Sequence, residues 1–263
     1  MGTRILHVSD LHVGAGELPA SETMLATLVE RTGPDLVVAS GDLTHRGRAG
    51  QHAAAAALLL GLGPPVLAVP GNHDIPYTFP ARIASPWREF ERHWATTEPV
   101  HATQVLHVVG ANSVRPWRHQ SGALGEDALA RVAARVADAA PGAVRVVVLH
   151  HQLIGAPWRT RKRPLARRGD VLARLADAGA DLIVGGHIHQ ATVSERREFE
   201  VLAGGARGVV VATAPGLGRP RPHRRGEARG ALLYSIDDTT IRVETSIWRD
   251  GAWSAVATRE FSR

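Results

Sequence analysis

The chain has 263 residues, 44% hydrophobic and 21% charged, with 27 Gly, 16 Pro and no Cys. Those proportions suffice for one large or two small cores, and they exclude a disordered or collagen-like chain, a disulfide framework, a thiolate metal site and a cysteine nucleophile. The formal charge is +6, and Lys162 is the one lysine among 31 basic residues; such a balance can favour nucleic acid, anionic lipid or phosphorylated substrates but fixes neither fold nor partner.

From the start, residues 5–8 form an apolar run that leaves no room for a signal peptide, and no stretch reaches membrane-span length, so a soluble cytoplasmic protein is expected. Strands are predicted at residues 4–9, 35–40, 65–69, 104–109, 144–150 and 181–184. Helices are predicted between them at 21–31, 49–62, 86–94, 126–139 and 170–178. This alternation is the pattern of an α/β domain. Ser21 ahead of Met24 and Leu25, and Gly125-Glu126-Asp127 ahead of an Ala/Val/Leu pattern, stand where helix starts want small or acidic residues. Trp87 and Trp94, at near-helical spacing, read as a core stripe.

After residue 190 the texture becomes strand-rich, with runs at 209–213, 231–236, 240–248 and 253–259, and with Asp237-Asp238 and Asp250-Gly251 as hairpin signals. Residues 204–230, rich in Gly, Pro and Arg, read as a long loop with one short strand. There is no internal repeat or linker. The expectation is one domain over 1–263, with a motif-bearing part at 4–190 and a part at 191–263 that completes a second sheet.

Five short motifs fall at the carboxyl ends of predicted strands, where open α/β sheets place their binding crevice. With 14 His and no Cys, any metal must be held by His, Asp, Glu or Asn. In Asp10-Leu11-His12, positions i and i+2 of an extended segment point the same way, so an acid oxygen and an imidazole can grip one cation. Gly41-Asp42 presents a carboxylate beside a glycine that lets backbone approach closely. Gly71-Asn72-His73-Asp74 combines an amide oxygen, an imidazole and a carboxylate, His150-His151 ends a strongly apolar strand, and Gly185-Gly186-His187-Ile188-His189 converges two imidazoles. Singly, most have ordinary alternatives: a turn, a helix cap, or a hydrogen-bonded core histidine.

Together and in this order the five resemble the signature of the calcineurin-like metallophosphoesterase superfamily, over residues 4–189. Residues 41–47 and 65–74, with a weaker echo in Ser121-Gly122-Ala123-Leu124, are most similar to its bacterial class III cyclic-nucleotide phosphodiesterase branch. The resemblance implies an α/β fold, a four-layer αββα sandwich of two mixed sheets flanked by helices, with a two-metal centre at one edge. It places Asp10, His12 and His189 on one metal, Asn72, His150 and His187 on the other, and Asp42 between them. Mn, Fe, Zn and Co all suit such ligands, and a metal pair can acidify a bridging water and stabilise in-line displacement at phosphorus.

His73 matches the family's catalytic histidine that binds no metal, with Asp74 holding its ring. A histidine there excludes the lipid-A-precursor pyrophosphatases, which usually carry Arg. Gln152 stands where relatives commonly have Pro. Asn72 and His151 are candidate substrate contacts, His151 alternatively packing, and His45 and Arg46 are expected beside the Asp42 loop, Arg46 paired with a carboxylate. His7 reads as structural. Arg161 and Arg163, in a basic run over 158–164, are candidate ligands for a phosphodiester anion, and Arg219, Arg221, Arg224 and Arg225 form a second basic loop. The expected function is hydrolysis of a small anionic phosphodiester, a cyclic nucleotide or glycerophosphodiester, with side activity on aryl phosphate esters. A DNA-processing nuclease and a phosphomonoesterase are the alternatives, with a non-catalytic scaffold behind them. A nucleic-acid partner is not favoured, and homo-oligomerisation stays open.

Overall fold

The computed structural model describes residues 2–15, 18–158, 160–201, 208–218, 221–222 and 224–263. In chain order the elements are β1 (Thr3–Val8), α1 (Leu18–Thr32), β2 (Leu36–Ala39), α2 (Ala49–Leu60), β3 (Val66–Ala68), α3 (Ala81–Ala84), α4 (Arg88–Trp94), β4 (Val100–Ala102), β5 (Leu106–Gly110) and α5 (Glu126–Ala137). There follow β6 (Val144–Val148), α6 (Arg168–Asp177), β7 (Leu182–Gly185), β8 (Thr192–Glu195), β9 (Val210–Thr213), β10 (Gly230–Ile236), β11 (Thr240–Arg249) and β12 (Ala252–Ser262). They build two mixed six-stranded sheets, ordered β12-β11-β10-β1-β2-β3 and β4-β5-β6-β7-β9-β8.

The side-chain period of two sorts each strand between two cores. Ile5, Val38, Val108, Val146, Val148, Val184 and Ala212 point into one apolar cluster between the sheets. Their neighbours Leu6, Val8, Val37 and Ala39 pack outward against Met24, Leu25 and Leu28 of α1 and Leu59 of α2. On the other side Val147, Ile183 and Val211 pack against Leu129, Val132 and Val136 of α5 and Leu172 and Leu175 of α6. Strands buried on both faces therefore read as continuous apolar runs, and helix, sheet, sheet and helix make four layers. No helix among the described residues is long and apolar enough to cross a membrane.

The C-terminal part does not complete one second sheet, as the sequence suggested. It divides: β8 and β9 extend the sheet of β7, Leu182 pairing parallel with Val210, while β10 lies antiparallel on β1 from Thr3↔Ile236 to His7↔Leu232 and carries β11 and β12 with it. Alternating apolar patterns identify strands but say nothing of which edge receives them. The unpredicted β4 and α3 span three and four residues, too short for a periodic signal. In α4 the fully buried residue is Phe90; Trp94 packs beside it and Trp87 is partly exposed, so the stripe centres on Phe90 rather than on the tryptophans.

His7 is structural, as expected. Its ring is fully buried between Tyr234 Oη at 3.0 Å and Ser40 Oγ at 2.9 Å, linking β10, β1 and the end of β2. Burial pushes its pKa down to about 3, outweighing the opposing pull of Asp10. The unfolded chain thus binds a proton that the folded chain refuses between about pH 6.5 and 3, and stability must fall as pH falls through that window. In metal-free protein His7→Leu should remove up to about 1.4 kcal/mol per pH unit of that slope, measured by denaturant unfolding across the window. An unchanged slope would show that His7 is protonated in the fold.

Candidate metal centre

The chain leaves β1, β2 and β3 through Asp10, Asp42 and Asn72, and leaves β6 and β7 through His150, His187 and His189. Five of these loop residues hold left-handed backbone angles: Asp10 (φ 53°), His12 (48°), Asp42 (51°), His187 (75°) and His189 (58°). Non-glycine residues rarely adopt such angles, which cost on the order of 1 kcal/mol or more each, and concentrated strain of this kind marks functional sites. Backbone bonds between loops hold it in place, among them Asp10 N–H to Gly41 O, His12 N–H to Asp42 O and Gly186 N–H to His150 O, all 2.9 Å. Gly71 permits a close approach, since a Cβ there would stand 2.2 Å from Asp42 Oδ1.

Among the described residues two clusters that include a carboxylate result, Asp10/His12/His189 and Asp42/His150/His187, each with its ligand atoms within 4.8 Å of one another and all buried, and a third, His12/His45/His73, consists of imidazoles alone. In the first, His12 Nε2 lies 3.2 Å from His189 Nε2, and Asp10 Oδ1 lies 3.0 Å from His189 Nε2. In the second, His150 Nε2 lies 3.4 Å from Asp42 Oδ1, 3.2 Å from Asn72 Oδ1 and 3.2 Å from His187 Nδ1. The other oxygen of Asp42 is 3.8 Å from His12 Nε2, so one carboxylate faces both clusters.

These spacings fit metal coordination. Two ligand atoms about 2.1 Å from one ion stand about 3.0 to 3.4 Å apart at angles between a right angle and the tetrahedral one. Asp10 Oδ1 and Asp42 Oδ2 are buried without a hydrogen-bond partner, which in a protein interior calls for one. Donors behind the ligands orient them: Ser9 Oγ and His187 N–H both donate to Asp10 Oδ2 (2.7 and 2.9 Å), and His150 Nδ1 donates to Ser40 O (2.8 Å), leaving His150 Nε2 for the centre. Burial would raise the carboxylates, but His189 and His150 hold Asp10, and His150, His73 and His12 hold Asp42, well below the ordinary range. Burial also lowers His12 to about 3 and His187 well below its usual value, so both present free lone pairs. His150 moves the other way, to about 9, because Asp42 and Asp10 outweigh burial.

His73 stands beside this pair of clusters, half-buried, with its ring edge-on to His12 at 4.8 Å. Asp74 does not hold that ring: His73 Nδ1 donates to the carbonyl of His45 at 2.7 Å. The Asp74 carboxylate instead accepts from the N–H groups of Leu43 (3.1 Å), Thr44 (2.8 Å) and Gly71 (2.8 Å) and from Thr44 Oγ1 (3.0 Å), tying the Asp42 loop to the Asn72 loop. His45 is beside the Asp42 loop as expected, but Arg46 lies over the Tyr77 ring at 5.2 Å rather than on a carboxylate.

His151 is wholly buried behind His150 and His187, its Nδ1 2.8 Å from Ser113 Oγ, the packed arrangement of the two expected for it. Gly122 makes room for it, since a Cβ there would stand 2.2 Å from His151 Nδ1. Gln152 is buried too, with neither amide atom hydrogen-bonded. Arg161 and Arg163 are exposed and turn away, while Lys162 between them points in and donates to the carbonyl of His187. Sequence reasoning missed Lys162; its one signal was the period-two alternation that puts it opposite its neighbours. In the second basic loop Arg221 pairs with Glu227 and Arg225 covers Trp158, while Arg219 lies outside the described residues.

Residues 3–191 match the family model for calcineurin-like phosphoesterases. The chain belongs to that family. This phosphoesterase holds, in Asp10/His12/His189 and Asp42/His150/His187, clusters able to bind metal ions, and its family is one of phosphoric ester hydrolases. No curated protein matches it by sequence. Among solved structures, a purple acid phosphatase from yellow lupin seeds (Lupinus luteus) is similar at TM-score 0.71 and 13% identity, over 100% of this chain and 54% of that one, so the phosphoesterase spans about half the lupin protein. A dimetal phosphatase from Danio rerio is similar at TM-score 0.66 and 12% identity, over 99% and 98% of the two chains. An anchor protein of the Plasmodium inner membrane complex is similar at 0.69 and 12%, over 99% and 89%. At such identities the likeness is one of fold.

Asp42→Ala should reduce the phosphoesterase's bound metal to one equivalent per chain or fewer, read by elemental analysis, whereas His73→Ala should keep both. Asp74→Asn should lower stability by about 2 to 4 kcal/mol, seen as a lower Tm, by turning an amide N–H toward buried donors. Full metal retention in Asp42→Ala would overturn the shared-carboxylate reading.

Proposed function

We propose that this phosphoesterase is a dinuclear-metal phosphodiesterase acting on small diesters of the cyclic-nucleotide or glycerophosphodiester class, with promiscuous hydrolysis of aryl phosphate esters. The observation that carries the reading is the single carboxylate, Asp42, facing two complete ligand clusters with a half-buried histidine beside it. Asp10, His12 and His189 would hold one ion, Asn72, His150 and His187 the other, and Asp42 would be shared. The ions, Mn, Fe, Zn or Co, would supply Lewis acidity toward phosphoryl oxygen and lower the pKa of water.

The chain's own groups do the rest. With Nδ1 donating to the His45 carbonyl, His73 keeps Nε2 free, and as the imidazolium it would deliver the Nε2 proton to the leaving oxygen, returning to the neutral ring, or stabilise charge building on phosphorus. Asn72 Oδ1 faces His150, which leaves its amide N–H groups to donate to a phosphoryl oxygen. The same reading places this activity in the cytoplasm, on a water-borne substrate.

The test is hydrolysis of bis(p-nitrophenyl) phosphate on chelator-stripped protein reloaded with Mn, Fe, Zn or Co. Metal-restored turnover is expected, with His73→Ala lowering kcat by about 100-fold or more at unchanged metal content. Metal-dependent cutting of DNA without cleavage of small diesters would replace this reading with a nuclease. Failure with every metal would leave the fold in the non-catalytic role of an anchor.

A further inference from the structure

The segment between His151 and α6 is fixed to both ligand loops of the second sheet. Gln190, next after His189, accepts from the Trp158 N–H at 3.0 Å and donates back to the Trp158 carbonyl at 3.5 Å. Leu165 N–H bonds to the carbonyl of Gln152, next after His151, at 2.9 Å. From this anchored segment Lys162, the chain's one lysine, reaches the carbonyl of the ligand His187. The charged groups around it are Asp10, Asp42, Arg221 and Glu227. None satisfies the ammonium: Asp10 and Asp42 belong to the metal clusters, and Glu227 is taken by two short contacts from Arg221, at 2.6 and 2.8 Å. Among the described residues no carboxylate comes within ion-pairing distance of Lys162.

An ammonium has three donors, and one is engaged here. A partly buried, unpaired cation is costly unless an anion reaches it. Asp10 and Asp42 are also the only carboxylates in the two clusters, so bound divalent ions leave the site with excess positive charge, to which Lys162 adds.

We propose that Lys162 is the anion-binding residue of this centre, donating to an outer phosphoryl oxygen, and that among diesters it selects those carrying a second negative charge beside the scissile phosphorus. The preferred diester is then one with an anionic substituent, and the monoester product is held more tightly than a simple diester. This inference rests on the metal-centre reading of the same site and narrows its substrate class.

The experiment uses full-length, metal-reloaded protein with Lys162→Gln and Lys162→Arg. Bound metal is measured first, then orthophosphate affinity by calorimetry at about pH 8, where phosphate monoesters are dianions. Lys162→Gln should keep its metal, weaken phosphate binding about tenfold or more, and lower kcat/KM for p-nitrophenyl phosphate about tenfold more than for bis(p-nitrophenyl) phosphate. Lys162→Arg should regain most of the phosphate affinity. Phosphate affinity within about twofold of wild type in Lys162→Gln, or equal losses on the mono- and diester, would overturn the proposal. Should the wild type cleave no diester yet bind phosphate through Lys162, the diesterase reading alone would fall.

Discussion

A fully buried carboxylate must be met by positive charge or metal, and Asp42 organises this molecule around that requirement. One oxygen faces His150 from the second sheet and the other faces His12 from the first, while the His73 N–H donates to it at 2.8 Å. Each ligand cluster draws from both sheets: Asp10 and His12 follow β1 while His189 follows β7, and Asp42 follows β2 while His150 and His187 follow β6 and β7. The centre exists only where the two sheets meet. The apolar layer between them, from Ile5 and Val38 to Val146 and Val184, is thus the device that sets ligand spacing as well as the main source of cohesion.

Holding charged and strained groups at that seam needs support that does not itself touch an ion. Asp74 supplies part of it by accepting from three backbone N–H groups and a hydroxyl on two loops, a tie that fixes Asp42 relative to Asn72. Ser9, Ser40 and Ser113 orient Asp10, His150 and His151 in the same manner. The left-handed angles at five loop residues show how much conformational preference has been overridden to aim these side chains. The phosphoesterase thus spends local backbone stability on ligand geometry, and the two-faced burial of its central strands supplies the compensation.

Around this centre the loops differ in character from the core. On one side Lys162 is carried in by a segment pinned through Gln190 and Gln152; on the other, Arg46 rests on Tyr77, whose ring meets His119. In folds of this kind the shared core carries the reaction class, and specificity resides in the loops grafted on it.

Much of this was legible in the residues themselves. Strands buried on both faces announce themselves as short apolar runs, helix periodicity separates them, and a sheet of this class places its chemistry at strand ends; it is the resemblance of the five motifs there to a family signature that implies Asp10, His12, Asp42, Asn72, His150, His187 and His189 as one set. These are local signals, carried by residue type and spacing within a few positions. Side-chain direction and long-range partners are different in kind. The sheet that receives β10, the tie made by Asp74, the burial of His151 and the inward turn of Lys162 between two exposed arginines each depend on contacts between segments far apart in the chain. The sequence by itself therefore determined the fold class and a candidate ligand set, and the tertiary structure alone decided which charged and polar groups face the centre and which only hold it in place.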